Sequence, residues 1–96
     1  MTQLTLVSTH QRSLKPLIKA ALINEQRLLE AGIQRTEQRL REFEAEHQIP
    51  TETFICRYEN DEFEETLGFV EWIGEYRLLK QLREKVDVLR EIKFAD

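Results

Sequence analysis

The sequence predicts an all-α fold, a long antiparallel helical hairpin, from three observations. Two long stretches of helical periodicity, residues 13–47 and 61–93, are separated by one short break around residues 48–50. The stretches are similar in length, and a rise of about 1.5 Å per residue makes each about 50 Å long. The chain is 33% charged and 41% hydrophobic with three glycines and two prolines, which is typical of long helices and coiled coils. We therefore expect one helical domain, residues 1–96, in which two rods pack side by side.

The first long helix is predicted over residues 13–47. Ser13 is a suitable N-cap with Pro16 in the first turn, and Pro50 ends the helix or lies just past its end. The later part of this helix has apolar residues at the spacing of a heptad, with Thr36 as the one polar interruption. The earlier part, residues 17–23, has a broader apolar face that can contact more than one helix. The residues of this helix predicted to pack in the core or a dimer are Leu17, Ile18, Leu22, Leu29, Ile33, Leu40 and Phe43.

A short helix over residues 52–59 is predicted at the bend, with Thr51 as its cap. The second long helix, residues 61–93, then begins at a cap provided by Asn60 or Asp61. Near its start, Phe63, Leu67, Val70 and Ile73 follow helical spacing. Its later part carries a heptad, and the residues predicted to pack there are Leu79, Leu82, Val86 and Leu89.

Association into a homodimer, as a four-helix bundle, is expected from what a single hairpin leaves uncovered. The broad face of residues 17–23 and the aromatic residues around Trp72 exceed what two helices can bury. Residues 1–12 are predicted to be a flexible or strand-like arm, because residues 3–7 alternate between polar and apolar types. That arm could pair with another chain or be a frayed terminus, and its role stays open.

The excess negative charge lies in the middle of the chain. Residues 52–75 contain eight acidic residues and one basic residue, a net charge of −7, whereas the whole chain carries −4. Acidic residues at the start of a helix favour its positive dipole end, which accounts for Asp61, Glu62 and Glu64 but not for Glu71 and Glu75. Acidic residues interleaved with aromatic ones suit a basic protein partner. The predicted partner-binding residues are Glu62, Phe63, Glu64, Glu65, Phe69, Glu71, Trp72, Glu75 and Tyr76.

Catalytic and metal chemistry find little support in the sequence. Cys56 is the single cysteine, which excludes an intrachain disulfide, and it lacks the histidine context of a nucleophile. Glu44 and His47 have the Glu-x-x-His spacing of carboxylate-bridged metal bundles, but only one copy is present, near a helix end. Whether this pair ever binds metal stays open. We expect no enzyme, no cofactor and no metal site.

Two pairs of acidic residues, Glu62 with Glu65 and Glu84 with Asp87, resemble the paired acids of all-α nucleotide pyrophosphohydrolases. On one continuous helix the two pairs would lie about 30 Å apart, so they cannot converge on magnesium within one chain. The opening residues lack the basic start and apolar run of a signal peptide, and no stretch approaches the length of a membrane span. A cytoplasmic protein is the expectation.

From Leu29 to the end, the chain resembles small helical antitoxins of bacterial and archaeal type II toxin–antitoxin modules. The resemblance is carried by Glu42-Phe43-Glu44 before the Pro50 turn, and by Glu71-Trp72 and Glu75-Tyr76 after it. It implies a protein that binds and neutralises a basic toxin, such as a ribonuclease. No DNA-binding ribbon or helix-turn-helix is evident, so DNA binding stays undetermined. The alternative is a homodimeric coiled-coil adaptor or scaffold, in which the acidic residues only increase solubility.

Overall fold

The computed structural model confirms the all-α class and the hairpin with a short helix at the bend. It describes residues 3–4 and 11–94, with side chains over residues 14–92. In chain order the elements are β1 (Gln3–Leu4), α1 (Gln11–His47), α2 (Thr51–Glu59), α3 (Leu67–Glu91) and β2 (Lys93–Phe94). α1 packs along α3, and α2 packs on the end of α1.

The interface between the long helices consists of the heptad positions that the sequence indicates. The buried residues on α1 and α3 are Leu29, Thr36, Leu40, Phe43, Trp72, Ile73, Leu79 and Val86. Ile33, Leu82 and Leu89 are half-buried beside them. A Cβ atom added at Gly32 would lie 3.3 Å from Leu82 Cδ1, so the missing side chain lets the two helices approach closely.

The bend begins where α1 ends. Gln48 has φ 58°, a left-handed conformation, and its N–H donates to the carbonyl of Glu44 at 2.8 Å. Its side-chain amide donates to the carbonyl of Ala45 at 2.6 Å, so one residue satisfies two carbonyls at the helix end. Pro50 then takes the N-cap position of α2 with an extended backbone, and Thr51 is the first helical residue rather than the cap.

The segment after α2 differs from the prediction, because Asn60 and Asp61 close α2 instead of starting α3. Asp61 has φ 57°, and the following N–H, that of Glu62, donates to the carbonyl of Arg57 at 3.1 Å. A left-handed residue with this returning hydrogen bond is a helix C-terminus. The prediction of a helix cap at Asn60 or Asp61 is therefore wrong.

α3 starts six residues later than the sequence suggests. Its N-cap is Thr66, whose hydroxyl accepts a hydrogen bond from the N–H of Phe69 at 3.2 Å. Thr66 has an extended backbone, as N-cap residues do. The residues between Asp61 and Thr66 form an irregular connection that carries three of the acidic side chains.

The two long helices are unequal. α1 has 37 residues and α3 has 25, or about 55 Å and 37 Å. Phe43 stacks on Trp72, and Gly32 lies beside Leu82, which fixes an antiparallel register. Continued along the helices, this register brings the end of α3 level with about residue 23 of α1. The start of α1 therefore extends beyond α3, in agreement with a longest dimension of 59 Å.

We call residues 14–28 the N-terminal segment of α1. No residue in it is buried, and Leu29 is the first buried residue of the helix from residue 14 onwards. The helix itself begins at Gln11, two residues before the predicted cap at Ser13, so Pro16 stands at its sixth position.

Part of the predicted arm is a strand. β1 and β2 pair in parallel, with Gln3 opposite Lys93 and Leu4 opposite Phe94. At these two residues the arm pairs with its own chain, next to the end of α3. The arm's remaining residues, 1–2 and 5–10, lie outside the described part of the chain. Among the described residues, no helix combines the length and the apolar composition needed to cross a membrane.

Candidate interaction surface

Three aromatic rings, one from each helix, stack at the bend of the hairpin. Trp72 of α3 lies between Phe43 of α1, at a ring-centroid distance of 5.5 Å, and Phe54 of α2, at 3.9 Å. The interplanar angles are 8° and 5°, and both Trp72 and Phe54 are fully buried. The stack joins all three helices into one core. The prediction that Trp72 belongs to a partner-binding surface is therefore wrong, because its side chain has no exposed area.

A chain of hydrogen bonds accompanies the stack. The indole Nε1–H of Trp72 donates to the hydroxyl of Thr51 at 3.0 Å, and both groups are buried. The backbone N–H of Thr51 donates to Glu44 Oε2 at 2.7 Å. Glu44 on α1 thus satisfies a free N–H at the start of α2, where the helix dipole also favours a carboxylate. The sequence predicted Thr51 as a cap, and its hydroxyl instead satisfies the only polar atom of the buried indole.

His47 and Glu44, the candidate metal pair, contact this same core. The imidazole of His47 lies 5.3 Å from the Trp72 ring and 5.3 Å from the Phe69 ring. Over the described residues, no group of three or more His, Cys, Asp or Glu side chains could hold a metal ion. Both members of the pair have structural contacts of their own, one in packing and one in capping α2.

The other predicted aromatic contacts also turn towards the core. Phe63, Phe69 and Tyr76 are half-buried and pack against the buried cluster. Phe63 lies 5.3 Å from Phe69 between ring centroids, and the guanidinium of Arg57 covers Phe63 at 4.8 Å. Most of the surface of these three side chains is therefore inside the molecule.

Two of the predicted acidic residues bind side chains of α2. Glu62 accepts from Arg57 Nε at 3.2 Å, and Glu65 accepts from the hydroxyl of Tyr58 at 2.9 Å. The hydrogen bond to Glu65 raises the pKa of Tyr58, because it stabilises the protonated hydroxyl. Both pairs are exposed, and an exposed ion pair such as Arg57–Glu62 contributes little to stability, so a partner's cation can replace Arg57.

The remaining predicted acidic residues differ in accessibility. Glu64 and Glu71 are exposed, and within residues 14–92 neither forms an ion pair or a side-chain hydrogen bond. Glu75 is half-buried. Glu64 and Glu71 are therefore the two carboxylates of this group most available to another molecule.

Two exposed aliphatic side chains lie between these two carboxylates along the chain. Leu67 is 75% exposed and Val70 is 47% exposed. They are three residues apart, and Glu71 follows at four residues from Leu67, so all three share one face of α3. We call these three residues, together with Glu64 of the connection that precedes α3, the α3 entry face.

Leu67 and Val70 were not predicted as surface residues, because their spacing places them in the same apolar series as Phe63 and Ile73. The signal that separates them is the heptad. Trp72, Leu79 and Val86 recur every seven residues and are all buried. Leu67 and Val70 precede Trp72 by five and two residues, which places them away from that side of the helix.

A second exposed apolar surface lies on the N-terminal segment of α1. Leu17 is 68% exposed and Leu28 is 61% exposed, whereas Ile18 and Leu22 are half-buried. The expectation that Leu17 packs in a core is not met within this chain. Its predicted contact in a dimer stays a prediction.

The residues with potential catalytic chemistry are dispersed. Cys56 is exposed on α2. Glu62 and Glu65 precede α3, so the first of the two acid pairs lies on the irregular connection rather than on a continuous helix. Asp87 of the second pair lies 3.9 Å from Arg90, an exposed pair. None of these residues is brought together with another into a site.

The fold and this surface define a small all-α hairpin with an acidic, partly aliphatic face at the start of α3. Comparisons of the chain with family models, with curated proteins and with solved structures found no match.

Proposed function

We propose that this protein is a non-enzymatic interaction module that binds a basic protein partner through the α3 entry face. The observation that carries the proposal is the exposure of Leu67 and Val70 on the same helix face as Glu71, inside the segment with a net charge of −7. The resemblance to antitoxins favours a toxin as the partner, with neutralisation of a cytoplasmic toxin, such as a ribonuclease, as the function.

The chemistry of the face supports a division of roles. Leu67 and Val70 supply apolar area, and complete burial of one such side chain contributes about 1.5–3 kcal/mol. Glu64 and Glu71 supply charge that attracts a basic surface and speeds association. Trp72 takes no direct part, because it is fully buried and stacks between Phe43 and Phe54.

The test is a double charge reversal, Glu64→Lys with Glu71→Lys, in protein whose partner has been captured from the native host and identified by mass spectrometry. We expect at least about a tenfold loss of affinity for that partner, which four units of charge change across an interface can produce. Isothermal titration calorimetry measures the effect.

The matched control is Glu84→Lys with Glu91→Lys. These residues are also exposed on α3, form no ion pair within residues 14–92, and change the net charge equally. The control should bind as the parent does. Equal losses in both double variants would show a general charge effect, and unchanged binding of the first variant would contradict the proposal.

The second candidate function is a homodimeric scaffold, and the exposed apolar residues of the N-terminal segment of α1 favour it. Two copies that pack these segments together would bury Leu17 and Leu28 and extend the hairpin into a four-helix bundle. In that case the acidic residues serve solubility.

Light scattering coupled to size-exclusion chromatography tests the scaffold function. We expect a dimer that Leu17→Asp with Leu28→Asp converts to a monomer, because a charge at each position opposes burial of the interface. Leu67→Asp, an equally exposed position on the other helix, should leave the dimer intact. A parent protein that is monomeric at every concentration measured would exclude this function.

A further inference from the structure

A small pocket lies between α2 and α3, on the side of α3 that faces α2. Its volume is about 150 Å³, and a cavity of that size in a protein can hold one benzene-sized ring. Ile73, which is buried, and Ile55, which is half-buried, line it. They give the pocket an apolar inner wall. The space suits one branched aliphatic or aromatic side chain.

Two basic side chains contribute to the rim of the pocket. Arg77 and Lys80 both line it, three residues apart on α3 and therefore on one face. Within residues 14–92 neither forms an ion pair, whereas Arg57 nearby is paired with Glu62. Lys80 Nζ lies 5.6 Å from the ring of Tyr76, another lining residue. Two cations and one carboxylate, that of Glu59, line the pocket, so one positive charge is left over to bind a carboxylate attached to an apolar group.

Glu59, the last residue of α2, also lines the pocket. A carboxylate at the rim opposes binding of a phosphate, which carries more negative charge than a carboxyl group. The same carboxylate accepts a hydrogen bond from an N–H donor. A ligand that carries a carboxylate, an N–H and an apolar side chain on one carbon atom matches the basic side chains, the Glu59 carboxylate and the apolar wall of the pocket.

We propose that this pocket binds the C-terminal residue of a peptide chain. Arg77 and Lys80 bind the free α-carboxylate, since a guanidinium can hold a carboxylate with two parallel hydrogen bonds. The apolar side chain of the terminal residue packs on Ile55 and Ile73, and Glu59 accepts from its backbone N–H. Capture of a terminal carboxylate is an established mode of peptide recognition.

This site is independent of the α3 entry face. It requires negative charge in its ligand, whereas the entry face requires positive charge, and the two share no residue. The variants that test one leave the other unchanged, so failure of either proposal can be recognised separately.

The test is a titration of the isotope-labelled 96-residue chain, followed by backbone amide chemical shifts. The ligands are acetyl-Gly-Gly-Leu with a free carboxylate, the same peptide as its C-terminal amide, and inorganic phosphate. We expect the free acid to shift the amides of Ile73, Arg77 and Lys80, and to bind about tenfold or more tightly than the amide. Equal affinity of acid and amide, or shifts with phosphate alone, would overturn the proposal.

Arg77→Gln gives an independent measurement. It should weaken binding of the free acid by about tenfold or more, since a charge-assisted hydrogen bond is lost. Arg90→Gln is the control, because Arg90 is also exposed on α3 but is distant from the pocket lining. Circular dichroism verifies that both variants keep the helical fold. Binding by Arg77→Gln at the parental affinity would also refute the assignment.

Discussion

Replacing Trp72 with alanine is expected to lower the free energy of unfolding by about 3–5 kcal/mol. Trp72 is fully buried and stacks between Phe43 and Phe54, so its removal leaves a cavity where all three helices meet. It also leaves the hydroxyl of Thr51 without the indole donor. Small domains have a total stability of about 5–15 kcal/mol, so this loss is a large share of the whole. Urea denaturation followed by circular dichroism measures it.

Trp72→Phe separates the two contributions. This variant keeps an aromatic ring in the stack but cannot donate to Thr51, and we expect it to lose less than the alanine variant. Leu67→Ala is the exposed control on the same helix and should change stability by no more than about 0.5 kcal/mol. If Trp72→Ala were as mild as Leu67→Ala, the aromatic stack would not be the core of the bend.

Replacing Thr36 with valine is expected to raise the free energy of unfolding by about 1–3 kcal/mol. Thr36 is 1% exposed at the centre of the α1 heptad, and within residues 14–92 its hydroxyl has no hydrogen-bond partner. Valine has nearly the same shape and is also branched at Cβ, so packing and helix propensity change little. The gain comes from removing an unsatisfied polar atom from an apolar interface.

Thr36→Ser is the matched variant, because it keeps the hydroxyl and removes the methyl group. We expect it to lose about 0.8 kcal/mol or more, the value of one buried methylene. The same denaturation measurement compares the three proteins. A destabilised valine variant would contradict the interpretation and would mean that the hydroxyl has a hydrogen-bond partner in solution.

The hairpin could be predicted because its signal is periodic and repeated. Leu29, Leu40 and Phe43 follow a spacing that only a helix places on one side, and all three are buried. The start of α3 could not be predicted in the same way. Asp61 is a good cap by residue type, but the same residue type also accepts the left-handed conformation that ends a helix. Whether Asp61 starts α3 or ends α2 depends on where α2 stops, and the sequence around Asp61 does not determine that.

The candidate surface was predictable in its charge and not in its apolar part. Glu64 and Glu71 are exposed as expected, since carboxylates are seldom buried without a partner. Trp72 was placed on the wrong side, because it satisfies helical spacing whether it faces a core or a partner. The wide aromatic core at the bend requires α2 as a third wall, through Phe54, and a pattern within one helix contains no information on that contact.

Because α1 is longer than α3, we expect the two parts of α1 to differ in local stability: the N-terminal segment and the part that packs against α3. Beyond Leu29, α1 packs against α3, so we expect amide hydrogens there to exchange with solvent mainly when the hairpin opens. Amide hydrogens in the N-terminal segment have no buried side chain to hold them, so they exchange through local fraying at a much lower free energy. A ligand or a second copy that covers this segment would slow amide exchange there first. Hydrogen exchange would therefore show whether another molecule binds to this part of α1.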